Sequence, residues 1–184
     1  MFEATIETIF LPSRNPTDTC VIDIPIGGVV PDGRAPDIGK HRRMTPHQIA
    51  LVQQSFAKVL PIRETAAALF YDRLFAIDPS ARPLFRGDMA AQGAKLMAAL
   101  ATLARSLDDL EPMVDRIRAL ARRHVQYGVT EAHYASVGAA LLWTLEQGLG
   151  ADFTSEVRDA WASAYDMLSS TMLEAASQPL PEAA

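Results

Sequence analysis

Only one cysteine, Cys20, occurs in the 184 residues. It cannot form an internal disulfide, so the fold owes nothing to an oxidising compartment. Its Pro- and Gly-rich surroundings also make it a poor catalytic nucleophile. Positive charge is the minority sign: 17 Lys and Arg face 22 Asp and Glu, a net charge of -5 with a pI near 5.3. That balance disfavours a general nucleic-acid binder, which needs a concentrated basic surface to neutralise phosphates. Long apolar runs are missing too. The most apolar stretch, 89–104, is broken by Gln92 and Lys95 and closed by Arg105, short of the roughly 20 residues a membrane span requires. Glu3 and Glu7 stand where a secretory leader carries positive charge, so a cytoplasmic location is expected. Phosphate-cradling glycine loops, Gly-x-Gly-x-x-Gly, His-Glu-x-x-His and Cys-x-x-Cys are all lacking, which removes the common nucleotide, zinc-protease and dithiol chemistries.

What remains is a composition of 49% apolar and 21% charged residues with mean hydropathy +0.06, enough to bury a core. The character changes at Met44. Residues 1–43 hold five prolines and four glycines and are expected to form a non-helical extension, flexible or docked. Within it Val21-Ile22-Asp23-Ile24-Pro25-Ile26 could make an edge strand. Met44 is itself a possible native start. Residues 44–178 read as one domain and 179–184 as a short tail.

From Thr45 onward the periodicity is helical throughout. Thr45-Pro46-His47-Gln48 is a capping box with proline in the first turn, followed by Ile49, Val52, Phe56 and Val59 at three- and four-residue spacing. A second helix over 64–75 ends before Asp78-Pro79, and 82–87 reads as a corner. Asp88 caps a long helix with Met89, Gln92, Gly93, Leu96, Leu100, Leu103 and Leu107 on one side. Further helices open at Glu111-Pro112, Thr130 and Thr154, the first stopped by Gly128. The fold class is therefore all-α, about six long helices joined by short corners.

Of four histidines, His41 lies in the extension, and His47 and His133 sit at helix starts where solvent exposure is expected. His124 differs, because it continues the apolar stripe Ile117, Leu120, Ala121. By itself this is a core histidine bonded to a carbonyl or a metal or haem ligand. The surrounding residues bear on the choice. The string 120–129, Leu-Ala-Arg-Arg-His-Val-Gln-Tyr-Gly-Val, with Tyr134 following, resembles the proximal segment of bacterial haemoglobins and of the globin domain of flavohaemoglobins. Phe70 to Phe75, Asp78-Pro79 and Phe85 resemble the second helix and its corner. Residues 89–96 resemble the distal helix, and Leu141 to Glu146 and Asp159 to Tyr165 its last two helices.

The resemblance, over about residues 45–175 in order, implies a globin fold and haem b (iron protoporphyrin IX) with His124 as the iron ligand. It implies that Phe85 wedges against the porphyrin, and that Tyr71 and Gln92 donate hydrogen bonds to a bound ligand while Leu96 closes the pocket. Leu120, Val129 and Val137 would line the cofactor, and Lys95 and Arg123 could reach its propionates. Tyr134 would join a proximal hydrogen-bond network that in flavohaemoglobins also uses a glutamate of the last helix; here Gln178 falls at that place and Glu174 one turn earlier. That departure weakens a peroxidase-like reading. Gln92 is a poor iron ligand, so an open sixth position on ferrous iron is expected, although Tyr71 could bind ferric iron at high pH.

Three functions follow: reversible binding of O2, for storage or scavenging; nitric oxide dioxygenase, in which Tyr71 and Gln92 would be the catalytic pair; and gas or redox sensing with the extension as output. No flavin or nicotinamide domain follows within the 184 residues, so any turnover is expected to need a separate electron-donor reductase. The expected partners are O2 and other diatomic gases (NO, CO), with no nucleic acid and no membrane, on a monomer or homodimer.

Overall fold

The computed structural model describes residues 44–177; Cys20, His41, the 21–26 stretch, Gln178 and the boundaries drawn for the extension and tail lie outside them. Six helices form the described chain: α1 (Pro46–Val59), α2 (Arg63–Ile77), α3 (Met89–Ser106), α4 (Val114–Gln126), α5 (Glu131–Leu149) and α6 (Ser155–Ser177). Single 3-10 segments at Leu60–Ile62, Pro79–Leu84, Glu111–Met113 and Gly150–Asp152 turn the corners. The all-α expectation holds, and among the described residues no helix is long and apolar enough to cross a membrane.

Local chemistry sets the helix starts. Thr45 Oγ1 accepts from the Gln48 backbone N–H at 3.2 Å while Gln48 Oε1 accepts from the Thr45 N–H at 2.9 Å, so two of the orphan donors of α1 are satisfied. Asp88 accepts from the Ala90 N–H at 2.9 Å and Thr154 Oγ1 from the Val157 N–H at 3.3 Å. Pro61 does not separate α1 from α2 by a loop. It sits in the first turn of a 3-10 segment, where a missing N–H costs nothing, and α2 begins directly after it.

Packing is helix on helix. α2 lies against α5 and α3, α1 against α6, and α4 against α6. Trp161 of α6 is wholly buried, and its Nε1–H donates to Ser55 Oγ of α1 at 2.9 Å. Ser55 in turn donates to the Leu51 carbonyl at 2.6 Å, so the indole is buried with its one polar atom satisfied. Close approach needs missing side chains at two crossings. A Cβ on Gly93 would stand 2.9 Å from the Ala67 Cβ, between α3 and α2, and one on Gly138 would stand 2.7 Å from the Tyr165 ring, between α5 and α6.

Two apolar clusters result. The larger joins α1, α2, α3, α5 and α6; the smaller joins α4 to α6 through Ile117, Ala121, Met172 and Ala175. On α3 the fully buried positions are Gly93, Met97, Leu103 and Ala104. Met97 and Ala104, outside the stripe read from the sequence, thus belong to the buried face, whereas Leu96 and Leu100 are only half-buried against the core.

Candidate functional site

His124 stands on the inner side of α4, two turns beyond buried Ile117 and one beyond buried Ala121. Its Nδ1 lies 2.9 Å from the Leu120 carbonyl one turn back. Burial lowers the ring's pKa more than that bond raises it, so the imidazole is neutral at pH 7. With Nδ1–H donating to the carbonyl, the lone pair resides on Nε2. The helix ends just beyond. Gly128 adopts φ 79°, a left-handed conformation that a side chain would strain, and the Val129 N–H returns to the His124 carbonyl at 3.0 Å.

The chain then enters α5 and sets the Tyr134 ring alongside His124, with centroids 6.2 Å apart and planes 27° from parallel. Tyr165 of α6 donates from its hydroxyl to the Tyr134 carbonyl at 2.6 Å, and Gly138 leaves room for that ring. Burial pushes the Tyr134 phenol up to about 12 and also raises Tyr165, helped by the neighbouring Tyr134 and Asp166. Both remain O–H donors through the neutral range. Leu120, Val129 and Val137 are half-buried, as are Lys95 and Arg123, which are therefore not the freely solvated cations that their residue types suggest.

A second group gathers on α2 and the corner after it. Tyr71 is 6% exposed. Phe70, Phe85 and Phe75 surround its ring at centroid distances of 5.0, 5.2 and 5.9 Å, the first two edge-on. Its hydroxyl shares a hydrogen bond with the Gln92 side chain of α3. Burial raises the phenol well above its ordinary value, and the Gln92 bond opposes this only in part. Phe85 also meets Phe75 at 5.5 Å, and the Arg82 guanidinium lies 4.6 Å over the Phe75 ring. The structure thus joins Tyr71, Gln92 and Phe85 in one cluster, and His124, Leu120 and Tyr134 in another.

One expectation is corrected. His133 is not a surface residue: its side chain is 13% exposed, and both ring nitrogens have partners. Burial follows from its place at the start of α5, pressed against the Asp78–Ser80 corner. The sequence signal was present, since Thr130-x-x-His133 has the capping-box spacing with imidazole in place of the usual Glu or Gln. Phe75 and Arg82, also unassigned from sequence, complete the aromatic cluster.

Against known proteins, a sequence profile of the globin family matches residues 68–172. The chain belongs to the globin family. It is 32% identical over 133 residues to the flavohemoprotein of Bordetella pertussis, covering 71% of this chain and 33% of that one. This globin therefore spans about a third of the length of the flavohemoproteins it matches. Its fold is also that of a bacterial globin from Campylobacter jejuni (TM-score 0.63, 26% identity, 72% of this chain and 96% of that one). It is likewise similar to an engineered carbene transferase from Rhodothermus marinus, provisionally designated a nitric oxide dioxygenase (TM-score 0.62, 28% identity, 72% and 93% covered).

Haem is the group this family holds, and the donor set of this globin fits it. A neutral imidazole, oriented by a main-chain carbonyl, presents Nε2 as the lone-pair nitrogen, as an iron ligand must. Among the described residues no three His, Cys, Asp or Glu side chains gather to hold a bare metal ion.

Proposed function

We propose that this globin holds haem b through Nε2 of His124 and binds O2 reversibly, retaining it rather than delivering it. The observation that carries this is the buried Tyr71 phenol, hydrogen-bonded to Gln92 and packed on Phe85. Ferrous haem supplies the coordination of a diatomic gas; the residues decide how tightly that gas is kept. In this reading α4 and the start of α5 form the proximal side, with Leu120, Val129, Tyr134 and Val137 along the cofactor. The distal side is formed by α2 and α3, with Phe85 against the porphyrin and Leu96 closing the pocket. Lys95 and Arg123 are the cations for the propionates. Tyr71 stays a protonated donor because burial disfavours its phenolate, and Gln92 offers amide N–H groups. Each such bond to a polar ligand is worth about 0.5–1.5 kcal/mol, more in a dry pocket. At 1.4 kcal/mol per tenfold, the pair slows gas release by roughly ten- to a hundredfold.

A second reading is favoured by the relatives. The likeness to flavohemoproteins and to the Rhodothermus marinus protein supports a nitric oxide dioxygenase, which combines nitric oxide, O2 and one electron to give nitrate. The same two donors would serve, with a separate reductase supplying the electron. The deciding experiment starts with the absorption spectrum of reduced, oxygen-free protein. A five-coordinate haem band that converts to a stable oxygenated form on admitting O2 supports the first reading; adding nitric oxide and an electron donor then tests turnover. Stoichiometric nitrate without sustained turnover by any cellular reductase removes the enzyme reading. No haem band after reconstitution removes both.

A further inference from the structure

The starts of α1 and α5 share a capping box whose third residue also reaches a neighbouring element. At α1 the box is Thr45 and Gln48, whose oxygen accepts from the Thr45 N–H while its Nε2 donates to Ser163 of α6 at 3.4 Å. At α5 His133 takes the corresponding place, and its Nδ1 accepts from the Thr130 backbone N–H at 2.9 Å. An imidazole has a second nitrogen on its far side. Since Nδ1 accepts, the ring proton is on Nε2, which faces Ser80 Oγ at 3.2 Å in the corner between α2 and α3. The Ser80 hydroxyl donates to Asp78 Oδ1, and that carboxylate also accepts from the Ser80 backbone N–H at 3.1 Å. Ser136, one turn along α5, hydrogen-bonds to the same carboxylate. The side chains of His133 and Asp78 are each only 13% exposed. Donors and acceptors therefore run in one direction, from the Thr130 N–H through the imidazole and hydroxyl to the carboxylate. The direction excludes a nucleophilic serine: the Ser80 proton goes to Asp78, and the His133 nitrogen facing Ser80 is already protonated.

What this cluster joins gives it meaning. Five residues beyond Ser80 the corner delivers Phe85 onto Tyr71 at 5.2 Å; one residue beyond His133 the helix sets Tyr134 beside His124 at 6.2 Å. We propose that His133 is a positioning residue that fastens the Phe85 corner to the Tyr134 end of α5, fixing the spacing of the two sides of the haem cleft. The inference rests on the haem reading above. A glutamate at this position would cap the helix equally well, but it has no donor to offer Ser80; the histidine adds the crossing bond.

The test is His133→Glu in the full chain, which keeps an acceptor for Thr130 and has no donor to offer Ser80. Haem uptake and helix content should stay at wild-type values. Haem transfer to an excess of acceptor apoprotein should accelerate about five- to tenfold, the effect of one partly buried hydrogen bond. Amide hydrogen exchange should quicken both at 130–134 and across the gap at 79–85. Ser80→Ala should do the same from the other side, and the double variant should add little to either. Wild-type haem loss together with unchanged exchange at 79–85 overturns the proposal, as does faster exchange confined to 130–134, which would make His133 only a cap. Should His133→Glu fail to fold, Ser80→Ala carries the same comparison. Should the wild-type chain take up no haem, the haem reading fails by itself, and exchange at the two corners of the apoprotein still decides whether the tie exists.

Discussion

On the α4–α5 side of the site, both critical orientations end on the main chain: His124 on the Leu120 carbonyl and Tyr165 on the Tyr134 carbonyl. On the α2–α3 side, polarity passes from one side chain to another, from Gln92 to Tyr71 inside a ring of phenylalanines. A carbonyl one helical turn back stays in place whatever residue carries it, so the proximal geometry is written into the backbone. The distal geometry hangs on two side chains, and one substitution can rewrite it. On the haem reading proposed above, such a division would leave the cofactor's holding robust to drift in neighbouring residues and ligand retention open to tuning.

The hardest way to break this contrast is His124→Ala. Haem uptake should be lost altogether, since no second imidazole shares the site: among the described residues His47 is exposed at the start of α1 and His133 is engaged with Ser80 and Thr130. Helix content should survive, because α4 is held to α6 by Ile117, Ala121, Met172 and Ala175. Titration with haem, followed by absorbance and circular dichroism, reads both. An unaltered haem band in this variant would remove the proximal assignment. Changing Leu120 to Ala, by contrast, should leave the band in place, because the carbonyl that orients His124 remains.

The distal side should respond in steps. Tyr71→Phe should speed O2 dissociation about tenfold, and Gln92→Leu by less, since Gln92 has longer freedom of reach and Tyr71 is the more deeply buried. If the pair acts as a unit, the double variant should be slower than the two separate free-energy changes added together would give, which stopped-flow measurement of all four proteins tests. A rate unaffected by Tyr71→Phe would deny the phenol its donor role and dissolve the contrast between the sides.

The helices were legible because alanine-rich amphipathic segments, caps and proline punctuation all agreed; His124 stood out because it continues an apolar stripe, and its reading as an iron ligand came from the family resemblance of the residues around it. Tyr71 and Gln92 were found through their place in a family pattern; neither residue type nor spacing alone pairs a tyrosine on one helix with a glutamine on another. His133 was misjudged for a physical reason. Helix starts are usually wet, and nothing local reveals that a corner some fifty residues earlier closes over this one. Met97 was missed because the α3 stripe was drawn through its leucines, whereas the buried face runs one position over, through Gly93, which approaches Ala67 of α2, to Met97 and Ala104.

Gly138→Ala probes the proximal side from behind. Its new Cβ would stand 2.7 Å from Tyr165 Cε1, so the ring must turn or α5 and α6 must part. A loss of about 1–3 kcal/mol in denaturant unfolding is expected, with a shift in the proximal spectrum as Tyr165 leaves the Tyr134 carbonyl. Tyr165→Phe separates the two effects. It removes the same bond without the clash, costs about 1 kcal/mol, and should reproduce only the spectral part.

The smallest effect concerns the link between the sides. Partial burial works to raise the Asp78 carboxyl, yet hydrogen bonds from Ser80 and Ser136 and the adjacent His133 outweigh it and hold the group below the usual carboxylate range. A folded pKa below the unfolded one means that the unfolded chain binds the proton more readily. The resulting stabilisation is complete above the unfolded value near 3.8 and is lost as pH falls through the lowered folded value. Asp78→Asn removes it at every pH, so wild type should exceed the variant by about 1 kcal/mol at pH 7, a figure kept small for the partial exposure of the pair. The difference should shrink steadily below pH 4. Chemical denaturation of both proteins at pH 7, 5 and 3 measures it. A gap that persists unchanged at pH 3 would mean that the carboxylate's charge contributes nothing to the corner, leaving its shape alone to hold Ser80 for His133.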